Sequence, residues 1–400
     1  MPTESNPRYD QIPYESHPHE LSHPSWLASV GALFGMQLPS LERARILELG
    51  CASGGNLLPV AESLPESTCL GVDLSQRQIA DGQRLLNASK LRNVELRQGS
   101  ILDIDESYGQ FDYIICHGVY SWVDKPTQQR ILELCSSRLT PNGIAYISYN
   151  TYPGWRMLEM LRDMMLFHAR RFDDPRKQIA QSRALLEVLA QAVPDQDNPY
   201  GMLLRRESEQ LRQRSDAYIY HEHLEESNDP VYFHEFVKRA TASGLQFLGE
   251  ADLRAMLSDQ LTPEAQAALR EVGTNLIYAE QYMDFFRNRT FRRTLLCRAG
   301  VALNRKLSGQ QVKPFHFGCA LRPHSKFSNL NDHEAVRFEG PGWPTVTVSA
   351  PTAKATLLCL RDCWPEHLAF DELEKRVLDR LSMPAPTEEL TMAYADMLWN

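Results

Sequence analysis

Two carboxylates flank a turn of small residues early in the chain. Glu48 lies in ELGCASGGN (48–56), and Asp73 ends the apolar run Cys69 to Val72. A turn with little side-chain bulk lets a nucleotide-like ligand reach backbone amides at the start of a helix. Dinucleotides and S-adenosylmethionine both use such turns. A carboxylate two residues before the first glycine repels a pyrophosphate and attracts the cationic amino-acid end of S-adenosylmethionine. Ala52 also stands where the phosphate fingerprint G-x-G-x-x-G has its second glycine. Asp73 follows Gly50 by 23 residues, near the roughly 20-residue offset of a carboxylate that accepts ribose hydroxyls. Its other reading is a cap for a helix beginning near Gln76.

The elements that must position these groups alternate. Ile46 to Leu49, Cys69 to Asp73, Val94 to Gln98, Phe111 to His117 and Gly143 to Tyr149 read as strands. Gln76 to Ala88 and Thr127 to Leu139 read as helices between them. Five strands with helical crossovers predict an α/β fold with a doubly wound, mostly parallel sheet. Ligands of such sheets bind beyond the carboxyl ends of the strands. That selects Gly50 to Gly54, Asp73, Ser100-Ile101, His117 to Val119 and Tyr149-Asn150.

Together, ELGCASGGN (48–56), GVD (71–73), FDYIICHGVYSWV (111–123) and YNTYPGW (149–155) resemble bacterial class I methyltransferases that carry a methyltransferase regulatory domain. That family includes rickettsial lysine methyltransferases acting on outer-membrane proteins. The likeness extends to PVYFHEF (230–236), GLQFLGEA (244–251), YMDFFRNRTFRRTLLC (282–297) and the N-terminal arm. It implies that Glu48, Gly50, Cys51, Ala52 and Gly54 hold the methionine moiety of S-adenosylmethionine. Asp73 would take the ribose hydroxyls with Leu74 beside it, and Ser100 and Ile101 would meet the adenine. His117, Gly118 and Val119 would lie beneath the sulfonium, with Tyr14 and His23 of the arm closing over the cofactor. Methyl transfer is an in-line displacement, so positioning and desolvation supply most of the rate.

The acceptor has to be read from the aromatic residues that follow. His117, Tyr120, Trp122 and Tyr149 form the candidate catalytic set, with Tyr152 and Trp155 nearby. The five aromatics Tyr120, Trp122, Tyr149, Tyr152 and Trp155 could make a narrow channel that holds a lysine ammonium by cation–π contact, or a flat slot for an aromatic small molecule. Trp122 and Trp155 could equally pack under the next domain. His117 reads either as a proton acceptor or as a lining group of the cofactor pocket.

Residues 1–42 read as a lid and lead-in helix. Tyr9, Tyr14, His17 and His23 among prolines make an extended arm able to cover a pocket, and Trp26 to Phe34 repeats at helical spacing. Residues 43–155 are the cofactor-binding core, which the helix Phe233 to Ser243 and strand Gly244 to Gly249, within 230–252, could complete. Residues 156–325 read as a helical regulatory insertion, opening with an apolar face of Met157, Leu158, Met160, Leu161, Met164 and Met165 suited to a core or a homodimer contact. Asn275 to Arg298 reads as one long helix. Residues 326–400 read as a winged-helix-like module, with a boundary marked at Pro341 to Pro344 before its strand and helices, whose final strands are missing at Asn400.

A net charge of −9 disfavours a general nucleic-acid binder. Ten Lys or Arg residues and no acid between Phe285 and Asn331 form a basic strip, suited either to an acidic partner or to the acidic remainder of the chain. Eight unpaired-looking cysteines point to a reducing cytoplasm. No metal site is expected, and His221 and His223 read as solvated surface. No apolar run approaches membrane-spanning length. The reading is an S-adenosylmethionine-dependent methyltransferase acting on a protein lysine. The alternatives are a small-molecule methyltransferase, a non-catalytic cofactor-binding regulator and, last, a NAD enzyme.

Overall fold

Leu47 and Leu49 face one side of the first strand and Ile46 and Glu48 the other, and all four are buried. A strand buried on both faces needs helices above and below it. In the computed structural model, which describes residues 11–273, 275–327 and 329–399, that strand lies inside a seven-stranded sheet. Its strands are β1 (Arg45–Leu49), β2 (Thr68–Asp73), β3 (Val94–Gln98), β4 (Phe111–Cys116), β5 (Leu139–Asn150), β6 (Leu245–Glu250) and β7 (Phe291–Arg298). The order is β3-β2-β1-β4-β5-β7-β6. β1 to β5 pair in parallel, and β7 runs antiparallel between β5 and β6.

Helices α1 (Pro24–Leu33), α2 (Leu57–Ser63), α3 (Gln76–Ala88) and α4 (Lys125–Arg138) accompany the first five strands. Ser75 and Asp124 cap α3 and α4 through their side chains, each satisfying an amide that the first turn leaves open. Beyond β5 the chain leaves the sheet through α5 (Trp155–Ala169), α6 (Pro175–Ala192), α7 (Pro199–Arg212) and α8 (Asp216–His223). Leu161, Met165, Ile179, Leu186, Leu204, Leu211 and Ile219 give this insertion a core of its own. The apolar face of α5 is therefore divided, because Met157 and Met160 stay exposed. The chain returns through α9 (Phe233–Ala242), whose Phe233, Phe236 and Val237 join the main core. Then come β6, α10 (Pro263–Glu271), α11 (Leu276–Arg287) and β7.

The single helix expected over 275–298 is a helix and a strand. Asn288 adopts a left-handed conformation, φ 45°, and ends α11; β7 then completes the sheet. The basic strip is likewise no open surface throughout. Arg292 is fully buried and binds Glu250, Glu280 and Asp284, and Arg289 also reaches Asp284. Its acidic counterpart lies within the chain.

These elements form one compact unit, residues 11–30 and 37–301; residues 31–36 and 302–399 form a second, beginning earlier than residue 326. The second unit has two short β-ladders. One orders β11 (Trp343–Val348), β10 (Val336–Gly340) and β9 (Arg322–Pro323), and the other pairs β12 (Leu368–Ala369) with β8 (His316–Phe317). Its helices are α12 (Pro351–Cys363), α13 (Phe370–Arg380) and α14 (Glu388–Trp399). Pro341 to Pro344 is no boundary: Gly342, at φ 76°, turns the chain between β10 and β11. Tyr9 and Asn400 lie outside the described residues. No described helix is long and apolar enough to cross a membrane.

Candidate active site

The carboxyl ends of β1 to β4 open into a cavity of about 300 Å³. Glu48, Gly50, Cys51, Ala52, Asp73, Leu74, Ser100, Ile101, His117, Gly118, Val119 and Trp122 line it, joined by Tyr14 of the arm. Gly50 takes φ +71° and sits so close to the β4 loop that a Cβ there would meet Val119 Cγ2 at 2.4 Å. Only glycine lets the two ligand-facing turns approach this closely.

Glu48 is 3% exposed. Its Oε1 accepts a hydrogen bond from Asn56 Nδ2 at 2.8 Å, while its Oε2 is buried without a partner. Burial pushes its carboxyl up to about 8, against the Asn56 bond that pulls it down. A cation is what such a site lacks. Asp73 is held from both sides: Oδ2 accepts from Ala52 N and Oδ1 from Ser75 N, each at 2.8 Å. The cap of α3 is Ser75, whose Oγ accepts from Gln78 N. Asp73 does not cap the helix; it fixes the two loops between which it stands.

The arm crosses the cavity as an extended strap. Ser16 Oγ accepts from Gly55 N, Gln78 Nε2 donates to Tyr14 O, and His19 N donates to Asn56 Oδ1. The His19 ring stacks on His117 with centroids 3.6 Å apart. His117 Nδ1 is 2.8 Å from the Tyr146 hydroxyl. Burial first, then His19 and Arg293, push His117 down to about 3; burial, Arg293 and His17 push His19 to about 4. Both rings are neutral at pH 7. A group that takes protons only in strong acid is a poor base, so lining the pocket is the role this geometry favours for His117.

Several expected residues lie elsewhere. The β4 loop tightens into a 3₁₀ turn, Tyr120–Trp122, in which neighbouring side chains diverge by about 120°. Trp122 reaches the cavity and Tyr120 drops into the core, edge-on to Phe236 at 5.2 Å. Tyr149 faces that core too: it stacks on Phe236 at 4.1 Å, its hydroxyl 2.9 Å from Thr294 Oγ1. Tyr152 bonds Glu159 under the Arg156 guanidinium, and Trp155 is buried edge-on to Trp122. The five-membered aromatic channel is therefore not assembled; Trp122 alone of its members lines the cavity. His23 points to Ser25 and the end of α2 at Ser63. Gly54 shapes the turn from behind, at φ +81° against Leu96.

Sequence reasoning missed Ser16, His19, Asn56 and Gln78, and it misread α8. His221 and His223 are not solvated: both are buried, and His221 Nε2 lies 2.6 Å from Ile12 O. His221 and Glu222 close the cavity from the insertion side. Among the described residues no cluster of His, Cys, Asp or Glu could hold a metal ion.

Residues 47–145 match the model of a family described as a methyltransferase domain, and 215–298 match that of a predicted methyltransferase regulatory domain. The uncharacterized protein RP789 of Rickettsia prowazekii (strain Madrid E) is 39% identical over 379 residues, 94% of this chain and 68% of the relative. A solved structure of PKMT2 from Rickettsia typhi in complex with AdoHcy is 37% identical and superposes with a TM-score of 0.85, covering 97% of this chain and 74% of that one. Trans-aconitate 2-methyltransferase of Deinococcus radiodurans is 30% identical over 107 residues, 27% of this chain and 38% of that enzyme. The unpartnered Glu48 oxygen, the Gly50 cradle and the braced Asp73 carboxylate fit S-adenosylmethionine. The chain belongs to the bacterial class I S-adenosylmethionine-dependent methyltransferases that carry a methyltransferase regulatory domain.

Proposed function

We propose that the chain transfers a methyl group from S-adenosylmethionine to a lysine side chain of a protein. The observation that carries this reading is that the likeness to PKMT2 from Rickettsia typhi runs through 97% of the chain, arm and insertion included, and not through the cofactor core alone. Glu48 and the 50–52 turn hold the amino-acid end of the cofactor, Asp73 the ribose, and Ser100 and Ile101 the adenine. His117 to Val119 floor the reacting centre. The cofactor supplies a methyl group on a cationic sulfur, open to in-line displacement by a neutral nitrogen. The residues bind, orient and exclude water: the arm covers the donor, and the His19–His117 stack keeps that cover neutral. Trp122 and Tyr14 offer aromatic faces to an incoming ammonium. We place the enzyme in the cytoplasm, a reading that its eight free cysteines support.

Methyl-labelled cofactor incubated with cell extract tests this. A labelled protein band, lost with Asp73→Ala, is the expected result; label confined to small molecules points to the second reading, a small-molecule acceptor.

A further inference from the structure

The cavity has three carboxylates, and only two have partners. Glu48 takes Asn56, and Asp73 takes two backbone amides. The third, Glu222 on α8, lines the same cavity beside Tyr14, Trp122 and His221, and no hydrogen bond or ion pair reaches its carboxylate among the described residues. Arg162 and Arg214 act on it as nearby charges. Arg162 of α5 lies over the Trp122 ring and donates to the backbone carbonyls of Glu222 and Glu225.

Its position is on the acceptor side. The ends of β1, β2 and β3 are the donor's, so the acceptor is left the ends of β4 and β5 and the insertion that leaves β5. Trp122 follows β4, and α8 belongs to that insertion.

We propose that Glu222 receives the ammonium group of the incoming amine between the faces of Tyr14 and Trp122 and takes its proton before methyl transfer. This rests on the amine-acceptor reading above. One N–H bond breaks, one O–H bond forms on Glu222, and the nitrogen keeps the electron pair. The pair goes from one positive and one negative charge to none, which suits a site shielded from water. Desolvation raises a carboxyl and lowers an amine, so burial narrows the gap that the proton must cross. Burial holds Glu222 at about 7 even though Arg162 and Arg214 pull it down. The other titratable groups facing it are Tyr14 from the arm, and Tyr218 and His221 on its own helix.

The test uses the chain saturated with S-adenosylhomocysteine and, as probe, N-α-acetyl-lysine methylamide against its uncharged norleucine analogue, followed by saturation-transfer NMR. The wild type should prefer the lysine probe at least tenfold. Glu222→Gln should lose that preference while binding S-adenosylhomocysteine within twofold, and Glu222→Asp, which keeps the charge, should retain it. In extract labelling the Gln variant should be slowed at least a hundredfold, and the rise in rate near pH 7 should vanish. An undiminished preference in a Gln variant that binds S-adenosylhomocysteine overturns the proposal. So does a wild type that ignores the probe yet methylates protein lysines; that result leaves the lysine reading standing. A probe preference lost in Glu222→Gln, with no protein labelled, supports Glu222 and removes the protein acceptor.

Discussion

Asn56 donates to Glu48 Oε1 and accepts the backbone N–H of His19, both at 2.8 Å. One amide thus ties the acid at the end of β1 to the arm that covers it. The acid and the arm segment at His19, 37 residues before Asn56 in sequence, share one side chain, beside the separate ties at Ser16 and Tyr14.

That coupling predicts the outcome of Asn56→Ala. The backbone amide of His19 and one Glu48 oxygen lose their partner, a loss of about 1–3 kcal/mol. Amide hydrogen exchange should rise over residues 16–22, and S-adenosylhomocysteine should bind about tenfold more weakly or worse. Unchanged exchange in the arm contradicts the latch.

Glu48 should report cofactor binding through protons. Its carboxyl, held at about 8 by burial, is mostly protonated at pH 7. The ammonium of S-adenosylhomocysteine favours the ionised form, so binding should release protons below about pH 8. Affinity should then climb as pH rises from 6 towards 8 and flatten above. Calorimetry in buffers of differing ionisation enthalpy measures the release, and Glu48→Gln should abolish both effects.

Ala52 carries φ 48°, a left-handed conformation that strains a residue with a Cβ by about 1–2 kcal/mol. Ala52→Gly should raise the melting temperature by about 2–4 °C, with S-adenosylhomocysteine affinity within twofold because the Asp73 bond comes from the backbone. A lower melting temperature shows that the strain is not there.

Arg292 is the buried counterion of Glu250, Glu280 and Asp284. Removing one partner of such a cluster costs about 3–5 kcal/mol because the remaining charges stay buried. Arg292→Leu should lower the melting temperature by about 6 °C or more. A shift smaller than 2 °C contradicts the network.

The donor half of the site was legible because it is local. Glu48 to Asn56 and Asp73 lie on consecutive strands, and their spacing alone places them at neighbouring sheet ends. The arm's contacts were not, since nothing in the sequence pairs His19 with His117 across 98 residues of chain. The acceptor side failed for a different reason. Whether Tyr120 or Trp122 faces the ligand depends on the 3₁₀ turn after Val119, and an aromatic residue serves core and pocket equally well. β7 was hidden for a third reason: Phe291 to Arg298 mixes charge and apolarity much as the preceding helix does, and only three residues, 288–290, separate them. For Arg292 the sequence left a surface charge and an intrachain partner equally open, because Glu250 comes from another strand. The His221–His223 pair was misread for a like reason, since their burial is set by the arm and by α5 rather than by neighbours in sequence.

The most direct test of the account uses S-adenosylmethionine with a trideuterated methyl group, wild-type protein and the Asp73→Ala variant, each incubated with extract proteins and digested for tandem mass spectrometry. The account predicts trideuteromethyl on lysine side chains with the wild type and none with the variant. Deuterated methyl on another atom, or only on small molecules, contradicts it.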